Sequence, residues 1–381
     1  MAVDRPVAEI AGAGIAGLAA AAALAQSGWR VRVHERGKEL REIGAGIYLW
    51  QNALDALREI RLYDKVRAAG VPSTTPRLLL DQDGKEVNIR RQSDSVPELV
   101  VILRTELHRI LAECAIAEGA EIVIDSHVTG ADPEGRIETQ AGLTAKADLV
   151  IGADGVFSRV RDSLRLGIKV VDLQDGCGRH LIERREGDSI NFRRIEMWNG
   201  GRRIGIAPAS KEHHYIFLCC PESDAAGRMQ KPFNLEAWVS SHVQYQEYLE
   251  RVPRNPEEFW RPFFNVTCSS WVKGRVAIVG DAAHGMAPNL GQGAGCAIVN
   301  SVVMARTLTD GASVPEKLQQ WEERVRPYTE KTQRMSYLYG AVGTRWPRRL
   351  LGLRSKILPL LSRTDFFQRG LRVAIDHKWA A

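Results

Sequence analysis

The feature that most constrains this chain is Gly12-Ala13-Gly14-Ile15-Ala16-Gly17, which stands between the apolar run Val7 to Ala11 and the alanine-rich stretch Leu18 to Leu24. Read as strand, turn and helix, it gives each glycine a separate duty. Gly12 makes the tight turn, Gly14 lets a pyrophosphate approach the backbone, and Gly17 lets the helix lie on the strand. Gly28 then stops the helix, Val31 to His34 reads as a second strand, and Val7 to Glu35 makes one βαβ unit. The helix N-terminus faces the phosphates of a dinucleotide. Glu35, roughly 20 residues on, stands where an acid hydrogen-bonds ribose hydroxyls. This fingerprint alone does not separate a nicotinamide from a flavin dinucleotide.

A chain of 381 residues can bury a large core. The pattern after the first unit predicts an α/β fold, a Rossmann-like dinucleotide domain interleaved with a mostly β substrate domain and followed by C-terminal helices. The dinucleotide domain is expected over 1–72, 101–170 and 268–335. The substrate domain takes a hairpin at 73–100, around Asp83-Gly84, and a stretch of short strands rich in Gly and Pro at 171–267. A helical segment at 336–381 closes the chain. The formal charge of +6 is mild and its basic residues are scattered except near the C-terminus, so an anionic cofactor or substrate suits it better than nucleic acid. Six cysteines form no C-x-x-C pair and no Cys/His cluster at metal spacing, which predicts neither a disulfide framework nor a metal site. Met1 to Ile10 is too short and polar for a signal peptide, and a cytoplasmic protein is expected.

A second motif separates the dinucleotides. Val276 to Val279 reads as a buried strand ending in Gly280-Asp281, followed by Ala282-Ala283-His284, Pro288 and the loop Gly291-Gln292-Gly293-Ala294-Gly295, which enters a helix. A helix N-terminus there stabilises the negative charge of a reduced flavin. A third motif, Asp154-Gly155 with Ser158, Arg159 and Arg161 behind it, ends another buried strand, and Asp154 reads either as a cofactor-site residue or as a helix cap. Taken in order with Arg104 before Leu107-His108, these motifs resemble the flavoprotein aromatic hydroxylases of the para-hydroxybenzoate hydroxylase type. The resemblance spans about residues 7 to 330 and implies bound FAD, with NADH or NADPH as a transient co-substrate. It assigns cofactor contacts to Gly12, Gly14, Ala16, Gly17, Glu35, Arg36, Gly46, Ile47, Arg104, Asp154, Asp281, Gly291, Gln292, Gly293 and Ala294. His284 reads as packing more than as an acid or base.

Three stretches narrow the resemblance: Gly44 to Asn52, Met197-Trp198-Asn199, and Gly293 to Asn300. They are similar to the hydroxypyridine-carboxylate oxygenases of that family, which oxygenate a pyridine and open its ring. On that likeness Arg203 and Tyr215 bind substrate and Pro288 lies at the reacting centre, while Arg77 stands where the branch has a further tyrosine. A guanidinium clamps a carboxylate bidentately and a phenol orients a ring hydroxyl or nitrogen. The alternative for Arg203 is a solvated charge beside Arg202. The implied reaction is reduction of FAD, formation of a flavin C4a-hydroperoxide with O2, and oxygen transfer to a small anionic ring during aromatic degradation, by a monomer or homodimer. A hydroxylase of a neutral lipophilic aromatic, a flavin-free NAD-dependent dehydrogenase and a flavin-binding sensor are the alternatives. The halogenase branch is disfavoured because Trp-x-Trp-x-Ile-Pro is absent. The stretch Trp346 to Trp379 mixes Arg and Lys with apolar residues, which reads as packing on its own domain before membrane contact, with Pro359 dividing it into two helices.

No residue pattern suggests a covalent flavin link, so heat-denatured protein should release intact FAD into the supernatant. Chromatography showing FMN, or no flavin in an active preparation, contradicts the reading.

Overall fold

The structure, a computed structural model, describes residues 5–377 except 42–43, 74, 88–96, 192, 257–259, 310–312 and 363. One six-stranded sheet runs in the order Val272–Lys273, Val276–Ile278, Leu149–Gly152, Val7–Ala11, Arg30–His34, Glu121–Val123. All but the first of these strands are parallel. Both faces of such a sheet are covered, which is why its strands read as continuous apolar runs. The helix Ile15–Gln26 lies buried between the sheet and the helix Gly293–Thr307. Small residues make this packing possible: a Cβ on Gly17 would lie 2.0 Å from the Gly12 carbonyl oxygen.

The second six-stranded sheet has the order Arg261–Cys268, Ile168–Glu183, His213–Pro221, Arg202–Pro208, Ile195–Asn199, Leu78–Leu80. In place of several short strands after Val171, one strand of 16 residues crosses the region, with a bulge between Asp172 and Gly176. The glycines that suggested interruptions serve close packing instead. Gly176 lies under the Trp260 ring and Gly178 under the Gln230 amide, where a Cβ would come within 2.3 and 2.6 Å respectively. The turn at Asp83-Gly84 is present, with Val87 N donating to Leu79 O at 2.8 Å; the rest of the expected return strand lies outside the described residues.

Side chains alternate across this sheet. Ile204, Ile206, Ile216 and Leu218 face one way and pack with Trp238, Tyr248 and Leu249. The other face turns toward the first sheet. Here directly paired residues form rows: Trp198, Arg203, Cys219 and Cys177 in one, Glu196, Gly205, Phe217 and Arg179 in the next. Gly205 is needed beneath Phe217, since a Cβ would sit 1.9 Å from its ring.

The helix Val314–Thr344 runs past the edge of these rows, and the helix Leu351–Ser362 follows. Pro359 lies inside this last helix without dividing it, and a second helix, Asp365–Leu371, comes after it. Arg354 is buried and donates to the carbonyls of Gly343 and Trp198 at 3.2 and 3.1 Å, so this basic residue of the tail packs within its own chain. No helix among the described residues is long and apolar enough to cross a membrane.

Burial holds His180, His242 and His284 neutral, each lowered to about 4. Unfolded, each takes up a proton near its ordinary value, so the unfolded state binds more protons below pH 6.5. Stability is therefore complete above that pH and falls as pH drops toward 4, by about 1 kcal/mol per histidine per pH unit. Melting temperatures between pH 7 and 4.5 should show the loss, and His242→Leu should make it shallower; an unchanged slope in that variant contradicts the assignment.

Candidate active site

The three sequence motifs end adjacent parallel strands. Gly12 follows Val7–Ala11, Asp154 follows Leu149–Gly152, and Asp281 follows Val276–Ile278. Crevices beyond such carboxyl ends are where open parallel sheets bind ligands. The two glycine turns touch: Gly280, at φ +61°, would place a Cβ 2.6 Å from that of Ala16. His108 braces the first turn by donating from Nε2 to the Ala13 carbonyl at 2.8 Å.

A cavity of about 520 Å³ opens between these turns and the second sheet. Of the residues expected at the site, Gly14, Ala16, Gly46, Ile47, Arg104, Asp281, Gly291, Gly293 and Ala294 line it, as do Arg203, Tyr215 and Pro288. Gly12, Gly17, Glu35, Arg36, Asp154 and Gln292 do not. Gly12 and Gly17 shape the turn from beneath. The Glu35 carboxylate accepts from Ala13 N at 3.0 Å and Gly37 N at 2.7 Å, which ties the second strand's end to the glycine loop. Arg36 is exposed beside it. Asp154 acts as a cap, accepting from Ser158 Oγ at 2.5 Å and from the backbone N of Arg159 at 2.7 Å, while its neighbours Ala153 and Gly155 reach the cavity. Gln292 is buried behind the loop and accepts from Asn52 at 3.3 Å.

The cavity fits a flavin dinucleotide at both ends. A Cβ on Gly14 would meet nothing within 4 Å, so the backbone there is open to a phosphate. No side chain caps the helix that begins after Gly14 or the one that begins after Gln292, and neither carries an acid in its first turn. Two helix N-termini with unsatisfied N–H groups thus border one cavity. His284 takes no part. It packs against Trp271 and lies within hydrogen-bond distance of Asn300, at 3.2 Å.

On the opposite wall Arg203 is 1% exposed and donates from Nη2 to Asn289 Oδ1 at 2.7 Å. Asp175 and Glu196 approach its guanidinium at 3.7 and 3.9 Å. Burial opposes its charge, but Cys219, Asp175 and Glu196 outweigh that effect and hold Arg203 above its ordinary value. The reading of Arg203 as a solvated charge is thereby excluded. Glu196 is itself the centre of a buried network, accepting from Arg77, from Trp198 Nε1 at 2.7 Å and from Tyr339 OH at 3.2 Å. Tyr215 lies against the Gly46 backbone and meets Tyr48 edge-on at 6.3 Å; burial raises its phenol above the ordinary value. Six arginines (77, 104, 179, 194, 203, 261) and two carboxylates (Glu196, Asp281) line the cavity, an environment for anions.

Sequence reasoning missed Glu196, Asn289, Phe217, Arg179 and the cysteines of this wall. Alternation offered a signal for some of them: stepping by two from Tyr215 leads to Phe217 and Cys219. Asn289 and Glu196 had no such signal, because their roles arise from tertiary contacts.

Residues 4–336 match the FAD binding domain family. The chain belongs to that family. Its fold matches the tetrameric form of 2-methyl-3-hydroxypyridine-5-carboxylic acid oxygenase with a TM-score of 0.86 at 34% identity, over 99% of this chain and 98% of that one. A protein of Rhodococcus erythropolis named as a probable 2-heptyl-3-hydroxy-4(1H)-quinolone synthase is 36% identical over 333 residues, 86% of each chain. The 3-amino-4-hydroxybenzoate 2-monooxygenase of Streptomyces cremeus is 30% identical over 351 residues, 87% of this chain and 86% of that protein. With its family, fold and relatives in agreement, this chain is an FAD-dependent aromatic-ring monooxygenase.

Asp281 projects from the strand end into the cavity wall, where a carboxylate would accept hydrogen bonds from the cofactor's polyol chain. A charged hydrogen bond of about 1.5–3 kcal/mol makes Asp281→Ala weaken FAD retention by about ten- to a hundredfold. Flavin titration of the folded apoprotein measures this; unchanged affinity removes Asp281 from the cofactor site.

Proposed function

We propose that the enzyme consumes NADH or NADPH and inserts an atom of O2 into a small anionic aromatic or N-heteroaromatic ring of the hydroxypyridine-carboxylate kind. The observation that carries this reading is the buried Arg203, fixed by Asn289 on the cavity wall two strand positions from the Phe217 row and four from Tyr215's. Bound FAD supplies hydride acceptance and oxygen activation. The protein's residues do the rest. Arg203 offers its planar fork to the ring's acidic group, and Tyr215 orients the ring from the neighbouring strand. The helix N-terminus at Gly293 stabilises negative charge on the cofactor. Tyr48, Phe217, Phe263 and Leu290 wall the cavity with apolar surface, which keeps water from the reacting centre. The single dinucleotide turn favours a nicotinamide that binds transiently, without a second Rossmann domain.

A second reading, a neutral lipophilic ring such as an alkylquinolone, draws support from Asp175 and Glu196. They already oppose the Arg203 charge, and the Rhodococcus relative is named for a quinolone. Both readings are separated by NAD(P)H oxidation measured with hydroxypyridine carboxylates, hydroxybenzoates and alkylquinolones, with mass spectrometry of the products to show hydroxylation or ring opening.

Under the anionic reading, Arg203→Ala should raise the substrate dissociation constant about ten- to a hundredfold, with FAD content unchanged. Removing the guanidinium also leaves Asp175 and Glu196 without their partner, so Arg203→Lys serves as the folded comparison. It retains the charge without the fork and should recover only part of the affinity. Wild-type affinity in Arg203→Ala overturns the clamp.

A further inference from the structure

The row that carries Arg203 sets two thiols side by side in the same wall. Cys177 is the register partner of Cys219 across an antiparallel pair, and Cys219 is in turn the register partner of Arg203. Directly opposed residues project to one face with Cβ atoms about 4.5–5.5 Å apart, close to the separation a disulfide needs. The thiols are hydrogen-bonded to each other. Both line the cavity, whereas Cys114, Cys220, Cys268 and Cys296 are buried elsewhere. Nothing in the proposed chemistry uses either sulfur.

We propose that Cys177 and Cys219 form a peroxide-reactive dithiol site, oxidised to a disulfide by hydrogen peroxide within the active-site cavity. Reduced flavin that meets O2 without a ring to oxygenate passes two electrons to it and yields hydrogen peroxide, so the oxidant arises beside the pair. The Cys177 thiolate attacks one peroxide oxygen; the O–O bond breaks, water leaves after protonation, and a sulfenic acid forms. Cys219 then attacks that sulfur and expels its hydroxyl as a second water. Two thiols lose two electrons and two protons, and one peroxide becomes two waters.

The surroundings divide the two roles. Burial works to raise Cys177, but the hydrogen bond from Cys219 and the charges of Arg179 and Arg203 bring it below its ordinary value, favouring the attacking thiolate. Burial, with Cys177 as neighbour, keeps Cys219 well above its own, as the resolving thiol. The site depends only on the flavin-containing cavity and on no particular ring substrate.

The test treats FAD-loaded enzyme with a stoichiometric amount of hydrogen peroxide, alkylates the remaining thiols after denaturation and maps the peptides. Titratable thiols should fall from six to four, with the Cys177 and Cys219 peptides joined and lighter by two hydrogens. Dithiothreitol should restore both. Cys220→Ser, altered on the opposite face, should keep the link. Cys219→Ser should lose it and instead give a Cys177 sulfenic acid that dimedone traps. The proposal is overturned if wild-type Cys177 and Cys219 stay reduced while other thiols oxidise, or if they become sulfinic acids without joining. Because wild-type mapping alone decides between these outcomes, a variant that fails to fold does not shield the proposal.

Discussion

The contact between two turns organises this enzyme. Gly280 and Ala16 meet where a Cβ on the first would stand 2.6 Å from that of the second. Adjacent parallel strands can end this close only if their turns carry almost no side chain, so the small residues of both motifs answer one steric demand. The same demand lays the helices Ile15–Gln26 and Gly293–Thr307 against each other and brings their uncapped N-termini to one cavity. Cofactor chemistry follows from this packing: phosphate and reduced ring are both anionic, and two helix dipoles meet them.

The second sheet answers a different constraint. One face must bury against Trp238 and its neighbours, so the period of two leaves the alternate residues for the cavity. Rows of paired residues then determine which side chains share the wall. Arg203 and Cys219 meet there because they are register partners, and Phe217 covers Gly205 for the same reason. A one-residue slip would put isoleucines into the cavity and charges into the core.

Much of this was legible before the structure. The strand, turn and helix of the first motif, the strand ending in Gly280-Asp281 and the helix after the glycine loop are local patterns with local causes. Arg203, Tyr215 and Pro288 were found through family likeness and do line the cavity. Other features depended on distance along the chain. Asn289 fixes Arg203 across 86 residues, and Tyr339 reaches Glu196 across 143. No periodicity encodes such pairs. Asp154 shows a different limit: the sequence allowed cap or cofactor ligand, and hydrogen bonds to Ser158 and Arg159 make it a cap whose neighbours face the cavity. Pro359 misled because a proline's cost falls on a helix only through one missing hydrogen bond and a local clash, which packing of a short helix can offset.

The charges behind Arg203 bear on selectivity. A buried guanidinium without partners would be costly, and Asp175 and Glu196 reduce that cost from 3.7 and 3.9 Å. At those separations they balance charge without forming close hydrogen bonds. Only Asn289 supplies a short one, at 2.7 Å. Arg203 thus enters binding compensated in charge but under-satisfied in hydrogen bonds. A ligand gains there chiefly by presenting well-placed acceptors. A planar carboxylate meets that need with two oxygens at once, while a ring carbonyl meets it with one. Discrimination between the two ligand classes therefore rests on the geometry of the fork more than on net charge, and Glu196, by tying Arg77, Trp198 and Tyr339 together behind it, keeps that geometry from relaxing.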